Sequence, residues 1–581
     1  MPGLYGYIKD KDNEAQLPAM KEAMALYPHY IHDPPFADAE LEGARMHIGK
    51  IGLKTSPITH GDIYLWIEGE VYNLPELSAD KLDDYILGNY KNGNLDNALA
   101  KVDGYFCAVL YDAKAGKVLF FTDRLGMRLL YLYHYNGRLA WASEVKALLA
   151  LDFVDRTIDK DAPGCFTEIG FMLEDQTWFE HIKLIDPAMI VEFDIKNQAF
   201  TKRIYWSWAE IKPQNMNFND AVDHLGELAI KSVKRRINKD EKIGIALSGG
   251  LDSRMLLAAS QKLYPDLKPY IYTFGRKGSE DVRIAKIVAE RAGLEHVFYE
   301  FTQENWYEPR KNMIWRTDGM FPMMHMHGAE FIEDIAQHVD ITMNGYLGDL
   351  VLGGGLLTDT NMDQCITPEI ASKIYKGQTF LARLDNSVYD IPHAEPHFFM
   401  NRCRRYTNMG TFNLLPFTQH RKPFMDMDIL EFVFSIPDHY RRSNKLYSKM
   451  LLKTFPEFFN DIPWQKSGKT IDKPVKFGFS HKVKNKLKRI AHQAGIFNFS
   501  REYGDYERWI KSPEIASELE KLLSRQGSEY SDFMDKDLKT VLWEPHMNKF
   551  YTEYADKILR AATMEIYLRR VLRDNESALE N

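Results

Sequence analysis

A short glycine-bearing segment, residues 248–253 with the sequence Ser-Gly-Gly-Leu-Asp-Ser, carries the residue types that bind a phosphate group. Residues 242–247 before it form an apolar run typical of a buried strand, and residues 255–263 after it have the apolar pattern of a helix. A strand that enters a helix through glycines presents unpaired backbone N–H groups and the positive end of the helix dipole. Asp252 would repel phosphate unless a divalent cation lay between them, so the segment also predicts Mg²⁺ bound by oxygen ligands.

The spacing of this segment matches neither the Walker loop nor the dinucleotide-binding fingerprint. Its order of residues after a strand resembles instead the pyrophosphate loop of ATP pyrophosphatases, which cleave ATP to AMP and pyrophosphate. The resemblance implies that ATP is bound by the residues of the loop and the strand end, which are Leu247, Ser248, Gly249, Gly250, Asp252 and Ser253. A structural turn without a ligand is the alternative.

Size and composition limit the classes of function. A chain of 581 residues predicts two domains or more. The net charge of −8 gives no general attraction for nucleic acid or an anionic membrane, so neither is expected as a partner. No apolar run approaches the length of a membrane span, and the first residues lack the features of a signal peptide. The four cysteines are scattered without a C-x-x-C pair, which argues against zinc and disulfides and favours a reducing cytoplasm.

The first 205 residues or so are rich in short runs of β-branched and aromatic residues separated by turns. Asn136-Gly137 between two aromatic-rich runs predicts a β-hairpin. From about residue 210 strands alternate with helices, which indicates a doubly wound parallel sheet. The predicted segments are strand 269–274, helix 281–292, strand 295–300, helix 325–337 and strand 340–344. Ligands bind at the carboxyl ends of such strands, where Ser248, Phe274 and Asn344 would converge.

The chain resembles the asparagine synthetases over residues 1–475, in the order of the family's motifs. Segments similar to their glutaminase domain are 68–73, 123–126, 137–139 and 142–148, and segments similar to their synthetase domain are 273–275, 278–281, 344–349 and 423–426. The resemblance implies an α/β and α+β two-domain fold. An N-terminal-nucleophile-type αββα sandwich (residues 1–208) would precede a doubly wound parallel-sheet, adenine-nucleotide-hydrolase-like domain (209–480). A helical C-terminal extension would occupy residues 481–581.

Two departures from the family lie in the glutaminase-like region. A glutaminase of this class uses an N-terminal cysteine, whose thiolate attacks the amide while its own amine acts as base. Pro2 stands at that position here, and Cys107 is the first cysteine. Glu68 replaces the family's oxyanion-hole asparagine, and a carboxylate would oppose a developing oxyanion. We therefore expect an inactive glutamine amidotransferase domain that serves as a scaffold or as a wall of the substrate site.

The synthetase-like region keeps some of the family's residues and changes others. Asp349 is retained, and the resemblance implies that it binds Mg²⁺ together with Asp252. Tyr346 replaces a glutamate, which is similar to β-lactam synthetase, where a tyrosine and a glutamate deprotonate the attacking amine. A phenol of pKa about 10 is a poor base without a neighbour that shifts it. Thr407 falls near the position expected for that glutamate, so the partner stays open, and Tyr346 as a packing residue is the alternative.

The resemblance also assigns a late lysine and the residues around the nucleotide. Lys466 aligns best with the lysine that stabilises charge on the acyl-adenylate, and Lys469 is the alternative. The catalytic residues would thus be Tyr346 and Lys466. Adenosine would be framed by Leu247, Phe274 and Gly345. Gly275 and Asn344 complete the predicted ATP-binding residues. His325-x-His327-x-x-Glu330 has the composition of a metal site, but residues two apart face different directions on a helix, so pocket lining or core packing is favoured.

The function predicted from these residues is an ATP-dependent, AMP- and pyrophosphate-forming amide ligase. It would adenylate a small-molecule or peptide carboxylate and couple it to an amine, external or intramolecular, without glutamine hydrolysis. This resembles β-lactam synthetase and the macrolactam cyclases of lasso peptides, with ATP and Mg²⁺ as cofactors and a homodimer left open. The alternatives are an ammonia-dependent asparagine synthetase, a tRNA-modifying pyrophosphatase and a non-catalytic ATP-binding regulator.

Overall fold

A computed structural model describes residues 2–10, 15–52, 54–375, 387–473, 479–496, 503–524, 528–549 and 551–573. The chain divides into two compact units, and each is made of separate stretches of sequence. The first unit comprises Met1–Ile211, Arg316–Phe321 and Gln364–Phe417. The second unit comprises Lys212–Trp315, Pro322–Asp363 and Thr418–Asn581.

The strands are numbered in chain order. They are β1 (Gly3–Ile8), β2 (Ile31–His32), β3 (Phe36–Ala37), β4 (Leu41–His47), β5 (Ile58–His60), β6 (Ile63–Val71), β7 (Gly104–Asp112), β8 (Lys117–Thr122), β9 (Tyr131–Tyr135), β10 (Arg138–Ala142), β11 (Ile182–Leu184), β12 (Met189–Asp194), β13 (Ala199–Ile204), β14 (Ile243–Ala246), β15 (Tyr270–Gly275), β16 (His296–Glu300), β17 (Ile341–Met343) and β18 (Gln419–Arg421).

The α-helices are numbered in the same way. They are α1 (Leu17–Met24), α2 (Leu82–Lys91), α3 (Leu95–Leu99), α4 (Val145–Leu149), α5 (Ala162–Ile169), α6 (Phe218–Arg235), α7 (Asp252–Leu263), α8 (Glu280–Arg291), α9 (Tyr307–Met313), α10 (Ile332–His338), α11 (Gly348–Val351), α12 (Pro368–Ile374), α13 (Glu395–Phe398), α14 (Asn408–Phe412), α15 (Met427–Val433), α16 (Lys445–Thr454), α17 (Pro456–Phe459), α18 (Phe479–Gln493), α19 (Tyr506–Trp509), α20 (Pro513–Leu522), α21 (Glu529–Met534), α22 (Glu544–Asn548) and α23 (Ala555–Leu572). Among them, none combines the length and the apolar character needed to cross a bilayer.

The first unit contains two antiparallel sheets. One has the strand order β11-β9-β10-β1-β4-β2, with β3 paired to β4, and the other has the order β13-β12-β8-β7-β6-β5. The predicted hairpin at Asn136-Gly137 joins β9 to β10, and both residues have the positive φ angles that a tight hairpin turn requires.

The two sheets of the first unit enclose one apolar core. Leu4 and Trp141 from the first sheet and Trp66, Val109 and Phe120 from the second belong to the same buried cluster. Helices α1 and α4 contact each other, α1 contacts β1 of the first sheet, and α2 contacts β6 of the second. These layers confirm the predicted αββα sandwich.

A buried ionic cluster in the first unit joins two of its sequence segments. The Lys146 ammonium lies 3.0 Å from a carboxylate oxygen of Glu144 and 3.0 Å from one of Asp318, and the Lys146 and Glu144 side chains have no exposed surface. Asp318 also accepts hydrogen bonds from the backbone N–H groups of Val145 and Lys146. The start of α4 is thereby held by a residue that lies far along the chain.

The second unit contains a five-stranded parallel sheet of order β16-β15-β14-β17-β18. This confirms the predicted doubly wound sheet, and the regions beyond it are helical, as expected. The predicted helix 325–337 is wrong in its first half. Residues Met323–His325 form a short 3₁₀ turn, and α10 begins only at Ile332, after Gly328 with φ +87°.

Candidate active site

The segment 248–253 lies at the carboxyl end of β14, the central strand, and leads into α7. The order of the strands reverses beside β14, because β15 lies on one side of it and β17 on the other. The loops that follow β14 and β17 therefore flank the switch point of the sheet, the usual ligand position in a doubly wound fold.

Hydrogen bonds within the protein order the start of this loop. The N–H of Ser248 donates to the Ser253 hydroxyl at 3.0 Å, and the N–H of Gly250 donates to the Ser248 hydroxyl at 3.2 Å. The N–H of Gly249 donates to a carboxylate oxygen of Asp281 at 3.0 Å. The sequence predicted that these backbone N–H groups would be unpaired. In the structure they donate to the hydroxyls of Ser248 and Ser253 and to the Asp281 carboxylate.

Asp281 and Gln465 fix the loop from outside, and the sequence did not identify either as a site residue. The Gln465 amide donates to Asp281 at 2.6 Å, and the Gln465 backbone N–H donates to the Gly249 carbonyl at 3.2 Å. A Cβ at position 249 would lie 2.8 Å from the Gln465 Cβ, so the contact requires glycine. Burial raises the pKa of the Asp281 carboxyl.

Arg254 on α7 is a buried arginine that forms hydrogen bonds with residues 462–463, just before Gln465 and Lys466. Its guanidinium donates to the carbonyls of Ile462 at 3.1 Å and Pro463 at 2.8 Å. Backbone carbonyls thus accept hydrogen bonds from both terminal nitrogens of a side chain that has no exposed surface, whereas its Nε has no partner among the described residues. The position of the 464–469 segment relative to the loop follows from these bonds.

Asp252, the first residue of α7, accepts two hydrogen bonds. The Tyr447 hydroxyl donates to one carboxylate oxygen at 2.9 Å, and the Asp349 N–H donates to the other at 3.0 Å. Burial and then the charge of Asp349 raise the pKa of Asp252 to about 7, against the lowering effects of the Tyr447 bond and Lys466. A Cβ at Gly348 would lie 2.5 Å from the Asp252 carboxyl carbon, so the carboxylate occupies the space that a side chain at position 348 would need.

Lys466 joins this group through Asp349. Its ammonium lies 2.6 Å from a carboxylate oxygen of Asp349, and about half of its side chain is exposed. The alternative residue, Lys469, contacts the same segment through its backbone, which pairs with Trp464. The structure therefore brings Lys466 to the two predicted carboxylates.

Asp252 and Asp349 offer two carboxylates to a divalent cation. Among the described residues, no group of three or more His, Cys, Asp and Glu side chains is arranged to hold a metal ion by itself. Two neighbouring carboxylates nevertheless fit a Mg²⁺ ion that arrives on a triphosphate, because this ion is usually held by one or two carboxylates plus substrate oxygens.

Tyr346 and its neighbours follow β17. Tyr346 is buried, and the Lys422 ammonium lies 5.4 Å from the centre of its ring. The next residue, Leu347, has φ +64°, an uncommon backbone conformation for a residue with a branched side chain. A Cβ at Gly345 would lie 3.0 Å from the Ser253 N, so this turn packs closely on the start of α7. Asn344 contacts His420 at 3.3 Å.

Phe274 and Gly275 end β15, the strand beside β14. The Phe274 ring packs against Phe301 and Tyr503, with ring centres 5.7 Å and 6.1 Å away. Leu247, just before the loop, is buried and donates its N–H to Tyr272 of β15. The roles of these residues toward adenosine stay a prediction.

The His-x-His-x-x-Glu segment makes separate contacts. His325 lies 3.3 Å from Asp556, His327 is 3.4 Å from the Tyr506 hydroxyl, and Glu330 pairs with the buried Arg310 at 2.5 Å. The three side chains thus have different partners, as expected for packing residues.

Comparison with known proteins bears on both parts of the chain. A family model described as a glutamine amidotransferase domain matches residues 1–206, and one described as asparagine synthase matches residues 224–391. These matches, in this order, define a class of two-part proteins with an amidotransferase-like first domain. The chain belongs to the asparagine synthetase family.

Individual relatives are distant. Asparagine synthetase [glutamine-hydrolyzing] 1 of Bacillus subtilis is 25% identical over 313 residues, which cover 51% of this chain and 49% of that protein. A probable asparagine synthetase of Acanthamoeba polyphaga mimivirus is 25% identical, with 64% of this chain and 65% of that protein covered. The chain spans about half the length of the first of these relatives.

Among solved structures, a glutamine phosphoribosylpyrophosphate amidotransferase from Bacillus subtilis aligns with 51% of this chain and 65% of its own, at 10% identity and a TM-score of 0.24.

Proposed function

We propose that the protein is a carbon–nitrogen ligase that uses ATP to adenylate a carboxylate, releases pyrophosphate, and transfers the acyl group to an amine with release of AMP. The observation that carries this proposal is the continuous contact from Asp252 through Asp349 to Lys466, beside the 248–253 loop at the switch point of the sheet. Family membership supports it, because the matched relatives are named asparagine synthetases.

The first half-reaction makes an acid reactive. A carboxylate oxygen attacks the α-phosphorus of ATP, the bond between the α-phosphorus and its bridging oxygen breaks, and pyrophosphate leaves. The loop amides would turn from their internal partners toward the phosphates, where hydrogen-bond donors stabilise the developing charge. Asp252 and Asp349 would hold Mg²⁺, which supplies positive charge to the departing pyrophosphate when bound.

The second half-reaction forms the amide. The amine nitrogen attacks the acyl carbon, the bond to AMP breaks, and the nitrogen loses a proton. The Lys466 ammonium would stabilise negative charge on the acyl-adenylate during this attack. Tyr346 would accept the proton, and the Lys422 ammonium near its ring would favour the phenolate, because a nearby opposite charge stabilises the ionised form. We propose Lys422 as the neighbour that the Tyr346 phenol requires, in place of the glutamate that the resemblance implied.

We further propose that the nitrogen does not come from glutamine. Glu68 in β6 is buried, and one of its carboxylate oxygens has no hydrogen-bond partner among the described residues. A buried carboxylate would destabilise an oxyanion at this position. Cys107, paired with Glu68 across the sheet, is also buried, and burial raises the pKa of its thiol to about 12, which is unsuitable for a nucleophile.

The test is pyrophosphate exchange into ATP with a panel of carboxylic acids, followed by AMP release when amines are added. Asp349→Asn should reduce exchange at least about a hundredfold, because it removes a charge at the nucleotide. Asp359→Asn, an exposed aspartate in the same unit, is the matched control and should exchange normally. Formation of ADP instead of AMP, or full exchange by Asp349→Asn, would disprove the proposal.

The same assay separates the second candidate, an ammonia-dependent asparagine synthetase. The relatives are named as glutamine-hydrolyzing asparagine synthetases, so their names favour the product asparagine but not ammonia as the nitrogen source. Aspartate with ammonium chloride would then support AMP release, whereas a specialised amide ligase would require another acid. Binding of ATP with no exchange for any acid would identify a non-catalytic regulator. Release of glutamate from glutamine would show that the first unit is an active glutaminase.

A further inference from the structure

The first unit contains a cavity that the proposed ligase reaction does not use. Its volume is about 260 Å³, and its lining combines carboxylates, arginines and large aromatic side chains. The residues that matter here are Asp175, Asp186, Trp206, Trp208, Tyr389 and Arg404. The volume is slightly below the range of drug-sized pockets, so a small molecule fits it.

Two carboxylates of the lining, Asp175 and Asp186, are the charged groups that concern a ligand. Within the described part of the chain, neither Asp175 nor Asp186 has a hydrogen bond or an ion pair on its side chain. Burial raises the pKa of Asp186 and outweighs the opposite effect of the nearby Arg404. Both residues are half-buried, and the charge of Asp175 also raises the pKa of Asp186. A cation in the cavity would offset the repulsion between these two carboxylates.

The arginines of the cavity are already engaged. Arg404 is buried and donates to the backbone carbonyls of Gly126 at 2.8 Å and Ile185 at 2.5 Å. The Arg124 guanidinium lies 5.5 Å from the Trp206 ring and donates to the Val102 carbonyl. The positive groups in the lining are therefore held by the protein, which disfavours an anionic ligand.

Aromatic side chains form another part of the cavity wall. Trp206 and Trp208 are buried with ring centres 5.3 Å apart, and Tyr389 also borders the cavity. The faces of such rings attract cations, and indole attracts them most. Methionine and aliphatic side chains complete the lining, which suits the carbon part of an organic ion rather than a bare metal ion.

We propose that this cavity binds a small organic ammonium ion, with Asp175 and Asp186 facing its charge and the Trp206–Trp208 pair against its carbon atoms. The site belongs to the first unit and does not depend on the proposed ligase chemistry. No catalytic step is assigned to it.

The experiment is calorimetric titration of the full chain with n-butylammonium and tetramethylammonium chloride. Neutral n-butanol and anionic butyrate are the matched probes of similar size. At least one ammonium probe should bind saturably, with a change in tryptophan fluorescence, and the neutral and anionic probes should not. Failure of both ammonium probes to bind, or equal binding of butanol, would overturn the proposal.

Variants locate the binding. Asp186→Asn should weaken ammonium binding about tenfold or more, because it removes a half-buried charge that faces the ligand. Asp152→Asn changes an exposed aspartate of the same unit and should have no effect. Trp206→Phe, which keeps a ring, should weaken binding less than Asp186→Asn and reduce the fluorescence change, so it provides a second readout should Asp186→Asn fail to fold.

One further control separates this proposal from the proposed function. Asp349→Asn should leave ammonium binding unchanged even if it abolishes pyrophosphate exchange. Loss of ammonium binding in Asp349→Asn would place the bound amine in the ligase site and would disprove the assignment to the first unit.

Discussion

Asp252, Asp349 and Lys466 are brought together from three distant positions in the sequence, and each has a defined partner. Asp252 could be predicted because it lies in a glycine-bearing turn after an apolar run, whereas Asp349 was assigned by resemblance to the asparagine synthetases. Lys466 could be placed only by resemblance, since a lysine in a polar loop has no distinctive local pattern. The structure adds the contact that distinguishes Lys466 from Lys469.

Replacement of Lys466 by methionine tests its role at the scale of one residue. We expect Lys466→Met to reduce the rate of amide formation about a hundredfold or more, because a charge that stabilises the transition state is lost. Pyrophosphate exchange should persist, since the first half-reaction does not require this ammonium. Single-turnover transfer from a preformed acyl-adenylate to the amine measures the effect.

Lys469→Met is the matched control for this lysine, and we expect a rate of amide formation near that of the parent protein. Equal loss of exchange and amide formation in Lys466→Met would assign the lysine to the nucleotide rather than to the acyl transfer.

Other site residues could not be predicted from their sequence context. Tyr447 lies in the amphipathic helix α16, where an aromatic residue indicates core packing, yet its hydroxyl donates to Asp252. Arg254 lies in α7, where a charged residue normally faces solvent, yet it is buried against carbonyls of a later segment. Such roles depend on partners about 200 residues away along the chain, which local patterns do not identify.

At the scale of elements, the parallel sheet could be predicted from the sequence, but its edge strand β18 could not. The apolar runs of β14, β15 and β17 are typical of buried strands, and their alternation with helices indicated the topology. Strand β18 has only three residues, Gln419–Arg421, all of them polar, and is a strand because it pairs with β17. Tertiary pairing overrode the local sequence there.

The approach of α11 to α7 provides a prediction at this scale. A methyl group at position 348 would lie 2.5 Å from the Asp252 carboxyl carbon. Gly348→Ala should therefore lower the free energy of unfolding by about 1–3 kcal/mol, as overpacking does, and should displace Asp252 so that pyrophosphate exchange falls. Urea unfolding and the exchange assay measure the two effects.

Gly88 in α2 is the matched control, because a methyl group there has no neighbour within 4 Å. Gly88→Ala should raise the free energy of unfolding by about 0.5–1 kcal/mol, since alanine is the better helix former. An undiminished exchange rate in Gly348→Ala would show that Asp252 tolerates displacement and that the close approach has no role in nucleotide binding.

For the whole molecule, the buried histidine His397 predicts a dependence of stability on pH. His397 has no exposed surface, and burial lowers the pKa of its imidazole from 6.5 to about 4. Its ring lies near Tyr375 and Tyr389, and its Nε2 has no hydrogen-bond partner among the described residues. The folded protein therefore holds this histidine neutral over a range in which the unfolded chain protonates it.

The stability contributed by neutral His397 is present in full above pH 6.5 and is lost as the pH falls from 6.5 toward 4. At pH 5 the loss should be about 2 kcal/mol in the free energy of unfolding. His397→Phe should remove this part of the dependence, while His439→Phe, which changes an exposed histidine, should keep it. Urea unfolding at pH 7.5 and pH 5 gives the comparison, and an identical loss in His397→Phe and the parent would contradict the prediction.

The first unit is assembled from three stretches of the chain, and this has a consequence for its synthesis. Lys146 and Glu144 leave the ribosome long before Asp318, the residue that completes their buried cluster. At ordinary rates of translation the delay is on the order of ten seconds or more. During that interval the nascent sandwich carries a lysine–glutamate pair without its third member, so the first unit reaches its final form only after part of the second has emerged.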